Sequence, residues 1–310
     1  MREPPDDLDD GHVLDAVAAH WPGEVDRLVH LPVGFGAHHW RAERADAAVW
    51  FVTYDRFGAR HTLSSLTAAY AGAAELAARG LEFVLAPAAG RRGQLVVPVA
   101  HGALSVTPWN PGPAVGDGSL ADAVTAAQNM ADLARLHAVA PPDGIPRWLP
   151  AAAAAMAARV AALAAQPWRT GPYGEPARAA VTAHLDELSG WVTRYGVAAR
   201  AAEDRTWVAT HGETHTRNQL ATPTGIRFVD WESLKLAPRE RDLATLVQAG
   251  YGAEVGADPL MIELFDLEWR LSEIDAYAHW FAAPHAGTAD DRIAYEGLLG
   301  ELDRGPWWPA

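Results

Sequence analysis

The segment HGETHTRNQLATPTGIRFVDWE, residues 211–232, holds the most chemically suggestive spacing in the chain. Glu213 stands two positions after His211, four residues separate it from Asn218, and Asp230 comes twelve positions later, behind the apolar Ile226, Phe228 and Val229. An acid, an amide and a second acid in this order suit phosphoryl transfer. The first carboxylate orients an acceptor hydroxyl, and the amide and second carboxylate hold magnesium against nucleotide phosphates. The first acid of such a pattern is ordinarily Asp. Glu213 keeps the charge and adds one methylene, which moves the carboxylate by ~1.5 Å. Misplacement on that scale is costly in catalysis. A loose transition state asks for positioning more than basicity, so Glu is tolerable if the loop is set to suit it.

A missing charge is the second feature. The chain has one lysine, Lys235, and it follows the motif. Nucleotide phosphates in such sites are ordinarily met by a lysine on the third strand of a sheet. Upstream, Gly34-Phe35-Gly36-Ala37-His38-His39 has two glycines of a phosphate-loop pattern, with His39 at the third. Side chains alternate along a strand, so Arg41 shares the face of His39. Either can supply the absent cation; solvent-facing basic tips on an aromatic-rich strand are the plainer alternative. His38-His39 and His211-x-x-x-His215 also admit a metal-hydrolase reading, although no H-E-x-x-H helix accompanies them.

These residues need elements to position them. Leu14 to Trp21 has helical spacing and Pro22-Gly23 stops it. Strands are expected at 25–31, 38–43, 48–54, 83–85, 94–98 and 103–107, with 44–47 closing a hairpin. Helices are expected at 62–79, capped by Thr62 or Ser64 and ended by Gly80, and at 119–137, 151–165, 177–195, 259–281 and 290–302. Pro238 to Asp242 opens one more. Pro108-Trp109-Asn110-Pro111-Gly112-Pro113 is the strongest break in the chain and reads as a hinge.

About half of the 310 residues are apolar, enough for a sizeable core, and no apolar run reaches the ~18 residues of a membrane span. The first ten residues, MREPPDDLDD, lack a signal-peptide core. The absence of cysteine excludes disulfides and thiolate metal sites and fits a cytoplasmic protein. A net charge of −14 argues against nucleic-acid backbones. It serves solubility and also suits a cationic substrate.

A strand-rich first part, a Pro/Gly hinge and a helical second part, with VGFGAHHWRA, HGETHTRN, VDWE and PRERDLATL in that order, resemble the aminoglycoside phosphotransferase family. Within it the chain looks most like spectinomycin-phosphotransferase-like proteins. The resemblance implies an α+β, bilobal protein-kinase-like fold. Its small β-rich N-lobe would span 1–107 and its larger α-helical C-lobe 108–310. It implies Glu213 as the catalytic acid, with His211 beside it as a loop brace or a participant, and Asn218 and Asp230 as magnesium ligands. Glu232 would be the second acid of the D-W/F-D/E motif, and Asp242 would cap its helix and fix the loop. Gly34, Gly36, His39, Arg41 and Thr53 would line the phosphates, Thr53 at the usual lysine position. Glu75 on the next helix is a candidate for the usual lysine's partner or a surface residue. The backbone from Val106 to Trp109 would hold the base of ATP or GTP.

The activity implied is magnesium-dependent transfer from a nucleotide to a hydroxyl of an aminocyclitol or aminoglycoside. Glu254, Asp258, Glu263, Asp266 and Glu273 would meet that cationic acceptor. A Ser or Thr of a biosynthetic precursor peptide is an alternative acceptor, and a non-catalytic pseudokinase an alternative altogether. The partners expected are a nucleotide and a small-molecule or peptide acceptor, without nucleic acid or membrane; a homodimer is compatible.

Overall fold

The structure is a computed structural model that describes residues 1–58, 60–120 and 122–305. In chain order its elements are α1 (Asp10–His20), β1 (Arg27–Leu31), β2 (His38–Arg44), β3 (Ala47–Arg56), α2 (Leu63–Ala78), β4 (Val97–Val99), β5 (Gly102–Pro108), α3 (Ala123–Ala138), α4 (Ala153–Ala164), α5 (Gly174–Ala183) and α6 (Leu185–Ala202), followed by β6 (Trp207–Thr210), β7 (Gln219–Thr222), β8 (Gly225–Phe228), β9 (Lys235–Pro238), α7 (Ala244–Gln248), α8 (Pro259–Ala282) and α9 (Ala289–Asp303). They form two compact units. One contains residues 1–148 and 207–249, the other residues 149–206 and those from 250 onward.

In the first unit an antiparallel sheet has the order β1-β2-β3-β5-β4. Alternation divides its two faces. Trp40, Ala42, Val52, Tyr54, Leu104 and Val106 point one way and form a closed core with Val13, Val17 and Trp21 from the α1 region. His39, Arg41, Phe51, Thr53, Asp55 and Ser105 occupy the alternate positions, so the second face is unusually polar. The β2–β3 turn at Ala45-Asp46 takes positive φ at both residues (47° and 64°), the backbone that tight hairpins require. Helix α2 begins at a capping box between Thr62 and Ser65. The pair β6·β9 flanks the 211–232 segment, and the β7·β8 hairpin lies within it.

The expected strand at 83–85 is a single parallel bridge instead. Val84 pairs with Phe228, and Leu85 N–H donates to Phe228 O at 3.0 Å. Those bonds, with Phe228 N–H to Phe83 O (2.6 Å), tie the β7·β8 hairpin beyond the Pro/Gly hinge to residues 83–85 before it. The compact units therefore do not divide at 107/108.

In the second unit α4, α5, α6 and α9 pack on α8. The helix expected at 177–195 is two, α5 and α6, separated at His184. Most of the acids expected to meet a cationic acceptor serve this unit's own cohesion. Asp258 caps α8 and pairs with Arg205 (2.7 Å), Glu263 pairs with Arg194 (2.9 Å), and Asp266 pairs with Arg304 (2.6 Å). Glu273 is buried, and of the five Glu254 is the exposed one. No helix among the described residues is long and apolar enough to cross a membrane.

Candidate active site

The loop that follows β6 is held from beneath by Asp242. This fully buried carboxylate accepts the N–H of His211 (3.1 Å) and of Gly212 (2.6 Å), and lies 3.0 Å from His137 Nε2. Thr214 Oγ donates back to the Asp242 carbonyl at 2.7 Å. Burial alone would raise the Asp242 carboxyl, but the His137 bond and nearby cations outweigh it and hold it below the usual range. Gly212 has a φ of +95°, which strains any residue with a Cβ, and the Arg241 guanidinium would also have to move aside for one. Removing a buried charged partner costs about 3–5 kcal/mol, and Asp242→Ala should lose stability on that scale in urea unfolding at neutral pH. Because the folded carboxyl is depressed, its stabilisation is complete above the unfolded value. It fades as pH falls through the folded one, so the mutational difference should shrink in acid.

His211 is fully buried. Its Nε2 donates to Val229 O at 2.8 Å, and its Nδ1 accepts the Glu213 N–H at 3.2 Å. Burial lowers the imidazole, which fits this neutral, one-proton arrangement. Both nitrogens are thus spent on backbone, so His211 braces the loop and presents no atom to a substrate. Asn218, also buried, donates its Nδ2 to the Glu213 carbonyl at 3.1 Å. Behind it the buried amides of Asn129 and Gln219 bond reciprocally at 2.7 and 3.0 Å, a support supplied by α3.

Asp230 adopts a left-handed backbone (φ 72°, ψ 57°) at the end of the β7·β8 hairpin. That conformation costs a non-glycine residue on the order of 1–3 kcal/mol and occurs preferentially at working sites. One carboxylate oxygen each from Glu213, Asp230 and Glu232 lie within 4.8 Å of one another. The acidic cluster is therefore Asp230 with both glutamates; the Asn218 amide nitrogen is used on the loop. The Oε2 atom of Glu232 is closed from solvent with no hydrogen-bond partner. Burial, then the charges of Asp230 and Glu213, push Glu232 well above the carboxylate range. Asp230 is also raised, by desolvation first and by Glu213. Its side chain still reaches solvent, so this desolvation is crowding by its neighbours rather than enclosure.

The polar face of the sheet overturns one expectation. His39 is buried beside Thr53, its cross-strand partner, with Nδ1 3.2 Å from Thr53 Oγ and its ring 4.8 Å from Phe51. Burial pushes the imidazole down to about 3, so it is neutral at physiological pH. Arg41 pairs with Glu43 at 2.5 Å and lies 5.7 Å over the Trp109 ring. His39 thus carries no charge to offer, and the Arg41 guanidinium is drawn to Glu43. Two positions beyond Thr53 the same face carries Asp55, a buried acid that accepts the Tyr70 hydroxyl at 3.1 Å. Burial and then the Asp230 charge push it up to about 7. Glu75 pairs with Arg79 at the surface and does not face Thr53.

Gly34 and Gly36 take φ of +69° and +101°, and Gly34 leaves room for the His39 ring. The Val106 carbonyl accepts Ala88 N–H at 2.7 Å and Trp109 N–H donates to Val49 O at 3.0 Å. Those two backbone groups, expected to hold the base, are already engaged. Missed altogether was His61, just before α2, whose ring feels Arg60, Glu213 and Lys235 after burial pushes it down to about 4.

A sequence profile described as the phosphotransferase enzyme family matches residues 27–280. The chain belongs to this family. Protein StrN of Streptomyces griseus is 32% identical over 239 residues, covering 72% of each chain. A spectinomycin phosphotransferase solved with ADP and spectinomycin aligns with a TM-score of 0.73 at 13% identity, over 94% of both chains. An amicoumacin kinase solved with AMP-PNP and Ca2+ aligns with a TM-score of 0.61 at 11% identity, over 97% of this chain and 96% of that one. At those identities the structural likeness shows the fold, which is the expected α+β, kinase-like one. The family assignment makes this chain a phosphotransferase, the enzyme class its motif implied.

Proposed function

We propose that this phosphotransferase moves the terminal phosphoryl group of ATP or GTP, with magnesium, to a hydroxyl of a small cationic aminocyclitol or aminoglycoside. The observation that carries the reading is the meeting of Glu213, Asp230 and Glu232 on a loop whose backbone Asp242 and Asn218 pin. All three donors are hard oxygens, which suits magnesium better than a transition metal. The three crowded carboxyls, two of them raised, form a set whose mutual repulsion a divalent cation would relieve. Asp230 and Glu232, with the oxygen of Asn218, would hold the ion, which when bound supplies charge neutralisation for the phosphates.

Glu213 accepts a hydrogen bond from the acceptor hydroxyl. It takes the proton as the new oxygen–phosphorus bond forms and the bond to the nucleoside diphosphate breaks. His211, Asn218 and Asp242 keep the Glu213 backbone still during that step. The glycine turn at 34–36 would be the part of the sheet that meets the phosphates in place of a lysine. The fold likeness to a spectinomycin phosphotransferase and the net charge of −14 support the acceptor class.

Thermal unfolding with ATP, GTP and magnesium, separately and combined, tests the reading. At about 100 times Kd a ligand adds roughly 2.7 kcal/mol, a rise of several degrees. The rise should require nucleotide and magnesium together, and spectinomycin or streptomycin should then accept labelled phosphate. No rise with any combination overturns the nucleotide reading. A rise without transfer to either antibiotic overturns the acceptor class for these two probes.

A further inference from the structure

We propose that Ser233 is a positioning residue: its hydroxyl donates to the Glu213 carboxylate and holds this longer acid in the rotamer that meets the acceptor. The inference rests on Glu213 orienting the acceptor, as proposed above, and explains how the site works with Glu instead of Asp.

The Glu213 backbone has little freedom to retreat. Its N–H is bound to His211 Nδ1 at 3.2 Å, its carbonyl receives Asn218 Nδ2 at 3.1 Å, and the two residues before it are tied to Asp242. The extra methylene must therefore be absorbed by the side chain, which has one more torsion than Asp. An unrestrained torsion spreads the carboxylate over several positions, and phosphoryl transfer depends on placing it correctly.

Ser233 lies where the longer side chain ends. Its Oγ is 3.2 Å from Glu213 Oε1 and 3.4 Å from Glu232 Oε1. A hydroxyl has one proton to donate, and the nearer acceptor is Glu213. The serine itself is well supported. It closes the short turn Trp231–Ser233, in which Trp231 is buried with its indole N–H on Phe228 O at 2.8 Å. The next residue, Leu234, is buried and donates its N–H to Trp231 O at 3.1 Å. The same segment thus carries a metal-site acid at 232 and a tether for the catalytic acid at 233, which fixes the two carboxylates relative to one another.

The experiment is a double-mutant cycle on the full chain, reading turnover of magnesium-ATP with spectinomycin, or with water as acceptor. Ser233→Ala should lower kcat by about tenfold or more, with nucleotide KM and melting temperature little changed. Ser233→Thr, which keeps the hydroxyl, should recover most of the loss. In a Glu213→Asp background the shorter acid ends before Ser233, so adding Ser233→Ala should cost less than twofold. Wild-type kcat in Ser233→Ala, or equal losses in both backgrounds, overturns the inference. Glu213→Gln separates the two levels. If it is inactive while Ser233→Ala is fully active, the tether alone is wrong. If Glu213→Gln is itself fully active, the reading beneath it has failed.

Discussion

Asp230→Asn should yield a folded protein whose thermal stability no longer responds to magnesium and nucleotide together, and whose turnover drops by about a thousandfold or more. A drop of that size corresponds to roughly 4 kcal/mol of lost transition-state stabilisation. The amide keeps the shape of the side chain and removes the charge a hard cation needs. The left-handed backbone at this position tolerates Asn as well as Asp, so the turn should survive.

The electrostatics add a second, opposite signature. Glu232, Asp230 and Asp55 are all held above their ordinary values by desolvation first, to which the Asp230 charge adds at Glu232 and Asp55 and the Glu213 charge at Glu232 and Asp230. Raised acids contribute stability fully below their unfolded values and lose it as pH rises through the folded ones. The metal-free wild type should therefore lose stability as pH climbs from about 5 toward 8. Asp230→Asn should soften that loss, and magnesium should soften it in the wild type but not in the mutant. A mutant that still stabilises with magnesium-nucleotide at unchanged affinity would remove Asp230 from the metal site.

Much of this site could be read from the chain because its key residues are close in sequence. Glu213, Asp230 and Glu232 lie on one loop and at the end of one hairpin, so short separations bring their carboxylates together, while Asn218 turns its amide to the Glu213 carbonyl. Alternation likewise placed His39, Arg41 and Thr53 on one strand face, where they are found. What it did not convey was where each charge would go. Glu43 is two residues beyond Arg41 on the same face and neutralises it. His39 is desolvated by packing that no local pattern reports. Asp55 was open to the same alternation argument from Thr53, and an acid at a buried strand position was the available signal. The supports from α3 were out of reach: Asn129 meets Gln219, and His137 meets Asp242, across separations that only the folded chain closes. The strand expected at 83–85 failed for a related reason, since its apolar residues bridge to Phe228 rather than extend the sheet.

Glu213→Gln should reduce kcat by about 10²–10⁴ while leaving nucleotide affinity nearly unchanged. The amide preserves size and can still accept a hydrogen bond, so the loop geometry should persist. Its backbone anchors, His211 Nδ1 and the Asn218 amide, involve main-chain atoms that the substitution does not touch. What is lost is the carboxylate that takes the acceptor's proton. The metal-site acids would not replace it, because Asp230 and Glu232 would be committed to the ion. Glu213→Asp makes the complementary measurement. It restores the ordinary acid but withdraws the carboxylate by ~1.5 Å from Ser233, on a backbone set for the longer side chain. If reach is what this loop was built around, Glu213→Asp should also fall below wild type, by less than the Gln variant, with the loss in kcat. Single-turnover kinetics at saturating nucleotide distinguish these outcomes. A Glu213→Gln enzyme at wild-type rate would mean that the loop positions the acceptor without a base.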